Sequence, residues 1–207
     1  MNKLKKRVLI FDLDGVLIDS KKNMSFSWRK VQQIHSLENT DFKNYFENIG
    51  MPFFDILKKI GIKKNLQKIH DTYQKESIKK ANLISYYKNI LNTIRILKKR
   101  KYSLCIVTSK DKKRTKFFLG KNIKHFSYIE SNNTKNKGKP NPYSIIRIIK
   151  KLKVEKSDCV YIGDTNVDYQ TAKNSKIDFI FAQWGYGRNL NYKNKCKKPF
   201  HLLKILS

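Results

Sequence analysis

Arginine is scarce in this chain. Seven arginines stand among 46 basic residues, so the formal charge of +30 rests mainly on lysine. Specific nucleic-acid readers depend on the bidentate fork of arginine. Lysine beside abundant Asn and Ile is also what the codons of an AT-rich genome supply. The charge is spread: residues 20–86 hold 13 Lys and Arg against 6 Asp and Glu, and the remainder is more basic still. The run Lys98-Lys99-Arg100-Lys101 suits a helix C-terminus. The expectation is a basic surface with weak, salt-sensitive, nonspecific affinity for nucleic acid and no specific nucleic-acid partner.

Cysteine is rarer. Cys105, Cys159 and Cys196 are odd in number and scattered. That pattern argues against a disulfide framework or a metal-ligand spacing and points to a reducing, cytoplasmic compartment. Cys105 and Cys159 fall in apolar runs and read as small buried hydrophobes. Cys196 stands among lysines and is expected at the surface. No apolar run approaches a membrane span. Residues 1–7 are charged and lead straight to a strand, without the apolar region of a signal peptide, so neither a membrane partner nor export is expected. Repeats and low-complexity segments are absent from the sequence.

What is present is concentrated in four short motifs. Asp12-Leu13-Asp14-Gly15 follows the apolar run Val8-Leu9-Ile10-Phe11, which reads as a strand buried on both faces. Carboxylates two residues apart at a strand end point the same way. They repel, and at least one pKa should rise unless a cation neutralises the pair. A hard divalent ion does so, and Mg²⁺ takes a few carboxylates together with substrate phosphate oxygens. One Asp can then be a nucleophile and the other a proton carrier. The same residues also fit a strand followed by an Asp-Gly turn. In order along the chain come Thr108-Ser109-Lys110, Gly138-Lys139-Pro140-Asn141-Pro142, and Gly163-Asp164-Thr165-Asn166-Val167-Asp168, the first and last each directly behind a strand-like run. Thr108 fits an anion site or a helix N-cap. Asp164 stands where it can reach a metal, and Asp168 shares its helical face or stabilises a helix N-terminus.

Strands are expected at 8–13, 103–108, 128–130, 159–163 and 179–183, and amphipathic helices at 88–99 and 143–152. The alternation predicts an α/β fold: a doubly wound three-layer sandwich with a parallel sheet, ligands binding at the carboxyl ends of its strands. Residues 20–86 contain no convincing strand and read as helices at 25–34, 40–47, 53–60 and 66–81. That is too long and ordered for a crossover loop. Met24, Phe26 and Trp28 within it are expected to pack between helices.

With all four motifs in view, nearly the whole chain resembles the haloacid-dehalogenase-like superfamily of aspartate-nucleophile phosphohydrolases. The likeness is greatest to the branch holding phosphoglycolate phosphatases. The resemblance implies a Rossmann-like core over 1–19 and 87–207, with residues 20–86 as a helical cap inserted after the first strand. It implies Asp12 as nucleophile, forming an aspartyl phosphate, and Asp14 as general acid and then base. Thr108 and Ser109 would hold the phosphoryl oxygens. Lys139, chosen over its neighbour Lys137 by its place in Lys-Pro-Asn-Pro, would counter negative charge. Mg²⁺ would be held by Asp12, the backbone carbonyl of Asp14, and Asp164, with Asp168 completing or supporting the site. Gly50, in Ile49-Gly50-Met51-Pro52-Phe53, resembles a cap loop that faces substrate. Ala182-Gln183-Trp184-Gly185-Tyr186-Gly187 and residues 199–206 resemble the family's segment after the last strand and its closing helix. The implied activity is Mg²⁺-dependent hydrolysis of a small phosphorylated metabolite, such as phosphoglycolate or a sugar phosphate. A phosphoglucomutase-like transferase comes second, although such relatives often carry Glu-Asp where this chain has Gly163-Asp164. A basic nucleic-acid-binding or interaction protein on a retained fold comes third. Tyr87-Lys88 departs from the Pro-Gly common where the cap returns to the core.

Overall fold

The computed structural model describes residue 4 and residues 6–132, 138–187 and 192–206. The chain enters through β1 (Val8–Phe11) and passes by β2 (Ile18–Asp19) into four helices, α1 (Lys21–His35), α2 (Phe42–Phe46), α3 (Phe53–Lys59) and α4 (Leu66–Lys79). It returns through β3 (Ser85–Tyr86). Helices and strands then alternate: α5 (Ile90–Lys99), β4 (Ser103–Asp111), α6 (Lys112–Leu119), β5 (Tyr128–Asn132), α7 (Tyr143–Leu152), β6 (Cys159–Gly163), α8 (Asn166–Ser175) and β7 (Asp178–Ala182). A short β8 (Lys195–Cys196) and α9 (Leu202–Ile205) close the described chain.

Six strands form one parallel sheet in the order β5-β4-β1-β6-β7-β8. Side chains alternate across a strand. Leu9 and Phe11 therefore join one apolar layer with Leu104, Ile106, Val160 and Ile162, covered by α5 and α9. Val8 and Ile10 join the opposite layer with Cys105, Val107, Cys159 and Tyr161, covered by α7 and α8. This is the doubly wound three-layer α/β class that the alternation predicts. From β1 the chain moves outward through β4 and β5, then crosses back to β6 on the other side of β1. The carboxyl ends of β1, β4 and β6 meet at that reversal, where such sheets bind ligands.

Helices α1–α4 carry an apolar cluster of their own, centred on Trp28, Tyr45, Phe53, Leu57 and Tyr73. Trp28 stacks on Tyr45 with ring centroids 4.6 Å apart, a preferred offset arrangement of large apolar surfaces. Met24 and Trp28 are buried as expected, while Phe26 is half-buried under Lys80. The two crossings between this insert and the sheet pair with each other, Ile18 opposite Tyr86 and Asp19 opposite Ser85. Tyr87 then donates its N–H to the Leu17 carbonyl at 3.2 Å. Two-residue strands give too little pattern for sequence to reveal.

Cys196 corrects an expectation. It is buried, because β8 pairs with the edge of β7 and alternation turns Cys196 into the core while its lysine neighbours remain exposed. Among the described residues, no helix is long and apolar enough to cross a membrane.

Candidate active site

Asp12 directly follows β1, and its N–H donates to the Ile162 carbonyl of β6 at 2.9 Å. Its Oδ1 receives Lys139 Nζ at 2.9 Å. Lys139 approaches from the turn before α7. The same ammonium reaches Asp168 Oδ1 at 2.7 Å and donates to the Tyr161 hydroxyl at 3.2 Å. All four residues are buried. Burial pushes the Asp12 carboxyl up to about 7; Lys139 opposes this, and Asp168 and Asp14 add to it. Burial alone would lower the Lys139 ammonium, but Asp12 and Asp168 outweigh it and hold it above the ordinary lysine value.

Asp168 is saturated with donors. Its Oδ2 accepts the N–H groups of Asp164 at 3.2 Å and Thr165 at 3.0 Å, and the Thr165 hydroxyl at 2.8 Å. Thr165 and Asp168 form a capping box that opens α8. Burial would raise Asp168, yet Lys139 and Thr165 keep it below the usual carboxylate range. Asp164 is the reverse case. Burial first, then Asp168 and Asp12, push it well above that range. Its Oδ2 accepts the Tyr186 N–H at 2.6 Å, but its buried Oδ1 has no hydrogen-bond partner.

Asp12, Asp164 and Asp168 each present one oxygen, all within 4.8 Å of one another. Gly15, at φ +86°, lies so close to the Asp164 carboxylate that any side chain there would overlap it. Buried polar atoms seldom stay unpaired. An orphaned carboxylate oxygen among hard oxygen donors fits a divalent cation.

Asp14 has a separate partnership. Its Oδ1 lies 3.2 Å from Lys110 Nζ and accepts the Ser20 hydroxyl. Each aspartate of the motif thus has its own lysine, where sequence pointed to Lys139 alone. Lys110 stands in the motif Thr108-Ser109-Lys110 but drew no role from sequence, because the expected strand stopped at 108, whereas β4 continues to Asp111 with an irregular register after Thr108. Burial lowers the Lys110 pKa more than Asp14 raises it. Thr108 Oγ1 accepts the Lys110 N–H at 3.1 Å. The N-cap of α6 is Asp111 rather than Thr108, with Asp111 Oδ1 taking the Arg114 N–H at 2.9 Å.

Ser109 donates its hydroxyl to the Gly50 carbonyl at 2.6 Å, joining β4 to the insert. Gly50 has φ +100°, and a Cβ there would come within 2.9 Å of Thr165 Oγ1, so only glycine lets this loop lie on α8. Asp12, Asp14, Thr108, Ser109, Lys139 and Gly50 all line one cleft, with Lys110 and Arg114 beside them and Tyr45 and Tyr73 of the insert opposite. Residues of the core and of the insert thus line the cleft together. Lys137 lies outside the described residues. Ser20, Arg114 and Tyr161 complete the surroundings and carried no sequence signal, since each is a common residue type outside the motif cores; Lys110 and Tyr186 stand within segments the sequence singled out but had no role assigned there.

The family model for haloacid dehalogenase-like hydrolases matches residues 9–182. The chain is 28% identical over 185 residues to the phosphoglycolate phosphatase of Aquifex aeolicus, covering 87% of this chain and 86% of that protein. It is 24% identical over 200 residues to pyrophosphatase PpaX of Oceanobacillus iheyensis, covering 94% and 89%. A solved hydrolase from Pseudomonas syringae shares the fold, with a TM-score of 0.85 at 21% identity over 98% of this chain and 100% of that one. A match running from β1 to the end of β7, over a chain that brings Asp12, Asp164 and Asp168 together at the carboxyl ends of its strands, means that this protein belongs to the haloacid dehalogenase-like hydrolase family.

Proposed function

We propose that the protein is a cytoplasmic, Mg²⁺-dependent phosphatase of small phosphorylated metabolites, acting through an aspartyl phosphate on Asp12. One observation carries the reading: the buried Asp12 carboxylate, held by Lys139, stands within 4.8 Å of a carboxylate oxygen of Asp164, whose Oδ1 has no hydrogen-bond partner. Residues 1–19 and 87–207 act as the core and residues 20–86 as the cap.

Asp12 attacks phosphorus while Lys139 fixes its carboxylate and offsets the incoming charge. Asp14, oriented by Ser20 and Lys110, protonates the leaving oxygen and later takes a proton from the water that opens the acyl phosphate. Thr108 and the N–H groups after it hold the phosphoryl oxygens, and Ser109 keeps the Gly50 loop against them. Asp12, Asp164 and the Asp14 carbonyl are the residues that would hold Mg²⁺. Asp168 serves behind them, because its oxygens are already occupied in positioning Lys139. Bound there, the cation would neutralise charge so that an anionic nucleophile can meet an anionic phosphoryl group.

The substrate class is phosphoglycolate or a sugar phosphate, and the pyrophosphatase relatives add inorganic pyrophosphate to the compounds worth testing. Free-phosphate release from a panel of such compounds, with and without Mg²⁺, tests the reading. Turnover should need the metal and vanish in Asp12→Asn. Metal-independent turnover, or an active Asp12→Asn protein, would falsify it.

A further inference from the structure

Arg114 has no part in that chemistry. It is 4% exposed and lines the cleft. Its Nε donates to Asp111 Oδ2 at 2.5 Å, which occupies one nitrogen of a fork with five N–H donors. The guanidinium carbon lies 5.1 Å from the centroid of the Tyr73 ring. Tyr73 in turn lies 5.7 Å from Tyr45, ring to ring. Both phenols remain protonated donors at neutral pH, since burial pushes Tyr73 up to about 12 and Tyr45 well above its ordinary value. Both feel the charge of Arg114 and that of Asp14. Arg114, Tyr45 and Tyr73 line the same cleft as Asp14.

We propose that Arg114, with Tyr45 and Tyr73, forms a second anion subsite that receives a carboxylate or second phosphoryl group on the leaving portion of the substrate. The inference rests on the phosphatase reading above and narrows its substrate class. Asp111 takes the Nε of the guanidinium and Tyr73 lies against it, and a neutral leaving group would add nothing to the remaining donors. An anionic one completes it with charge-assisted, bidentate geometry. Lys110 adds positive charge nearby, strongly enough that Arg114 and Lys110 repel.

The test compares kcat/KM for 2-phosphoglycolate, inorganic pyrophosphate and ethyl phosphate in the wild type, Arg114→Lys and Arg114→Gln. The wild type should prefer at least one doubly anionic compound over ethyl phosphate by about 10- to 100-fold, the range of one or two charge-assisted hydrogen bonds. Which one it prefers tells a carboxylate from a second phosphate. Arg114→Gln should bring that ratio toward one, mainly through KM, and Arg114→Lys should keep part of it. No preference in the wild type, or a preference indifferent to residue 114, overturns the subsite. If Arg114→Gln does not fold, the lysine variant decides. If none of the three compounds is hydrolysed, the phosphatase reading fails instead. Calorimetric binding of pyrophosphate against orthophosphate to the wild type and Arg114→Lys then decides the subsite, equal preference in both proteins overturning it.

Discussion

Tyr186 holds Asp164 through its backbone N–H, 2.6 Å from Oδ2, and reaches the start of the insert through its side chain. Its hydroxyl accepts the Ser20 N–H at 2.7 Å and lies 3.2 Å from Asp19 Oδ1. Phe46 of α2 meets its ring edge-on, with centroids 5.1 Å apart. Ser20 in turn bonds Asp14. Tyr186→Phe keeps the backbone bond to Asp164 and loses only the hydroxyl. We expect kcat to fall about 2- to 10-fold, the weight of one neutral hydrogen bond. The loss should be greater for alkyl phosphates than for p-nitrophenyl phosphate, because Asp14 matters more when the leaving oxygen needs a proton. An equal loss on both esters would separate Tyr186 from Asp14.

The two aspartates of the first motif should fail in different ways. Asp12→Asn should abolish covalent phosphorylation of the protein. Asp14→Asn should slow turnover by roughly 10²–10⁴-fold, as expected for general acid–base catalysis, with a smaller effect on the first step for a good leaving group. Rapid-quench labelling and mass spectrometry of the trapped phosphate check both. A phosphate found on another residue contradicts the assignment.

Lys139 is bonded to two buried carboxylates. Lys139→Ala should therefore reduce turnover by about 10²-fold or more. It should also destabilise the fold by about 3–5 kcal/mol, because it strands buried charge. Replacing the exposed Lys99 and Lys101 together should leave both quantities nearly unchanged, since screening weakens surface charge beyond roughly 8 Å at physiological salt. Chemical denaturation beside steady-state kinetics measures the contrast. A silent Lys139→Ala would remove it from the site.

The acids also predict a pH signature. Asp12 has an ordinary value of 3.8 and a folded value of about 7, so between those limits the native state holds a proton that the unfolded state has released. Stability of the metal-free protein should fall as pH rises through this window. Asp164 is shifted in the same direction. Asp168 is shifted downward, so its contribution is fully present across the window and adds no slope there. A cation competes with the proton for these oxygens. Thermal stabilisation by Mg²⁺ should consequently be small at pH 5 and large at pH 8. Melting curves with and without metal test this, and an equal shift at both pH values would contradict it.

Sequence revealed the sheet and the carboxylates for one reason. Parallel strands buried on both faces read as short apolar runs, and acids at their ends are conspicuous against an apolar background. The helix at Tyr143–Leu152 and the strand at Cys159–Gly163 have the expected limits. Lys110 was obscured by a strand longer than its apolar stretch, and Arg114 by its place in a lysine-rich helix. Ser20 and Tyr186 meet only because distant segments converge at the edge of the insert, which no local pattern encodes. Cys196 was misjudged because neighbours in sequence stood in for neighbours in space.

The pairing of Ile18 and Asp19 with Tyr86 and Ser85 also bears on how such a chain can change. The insert leaves the sheet and returns to it at points one strand spacing apart, about 4.8 Å. A two-residue turn spans that gap. The insert can thus be shortened, enlarged or exchanged without re-laying any of the parallel strands that carry Asp12 and Asp164.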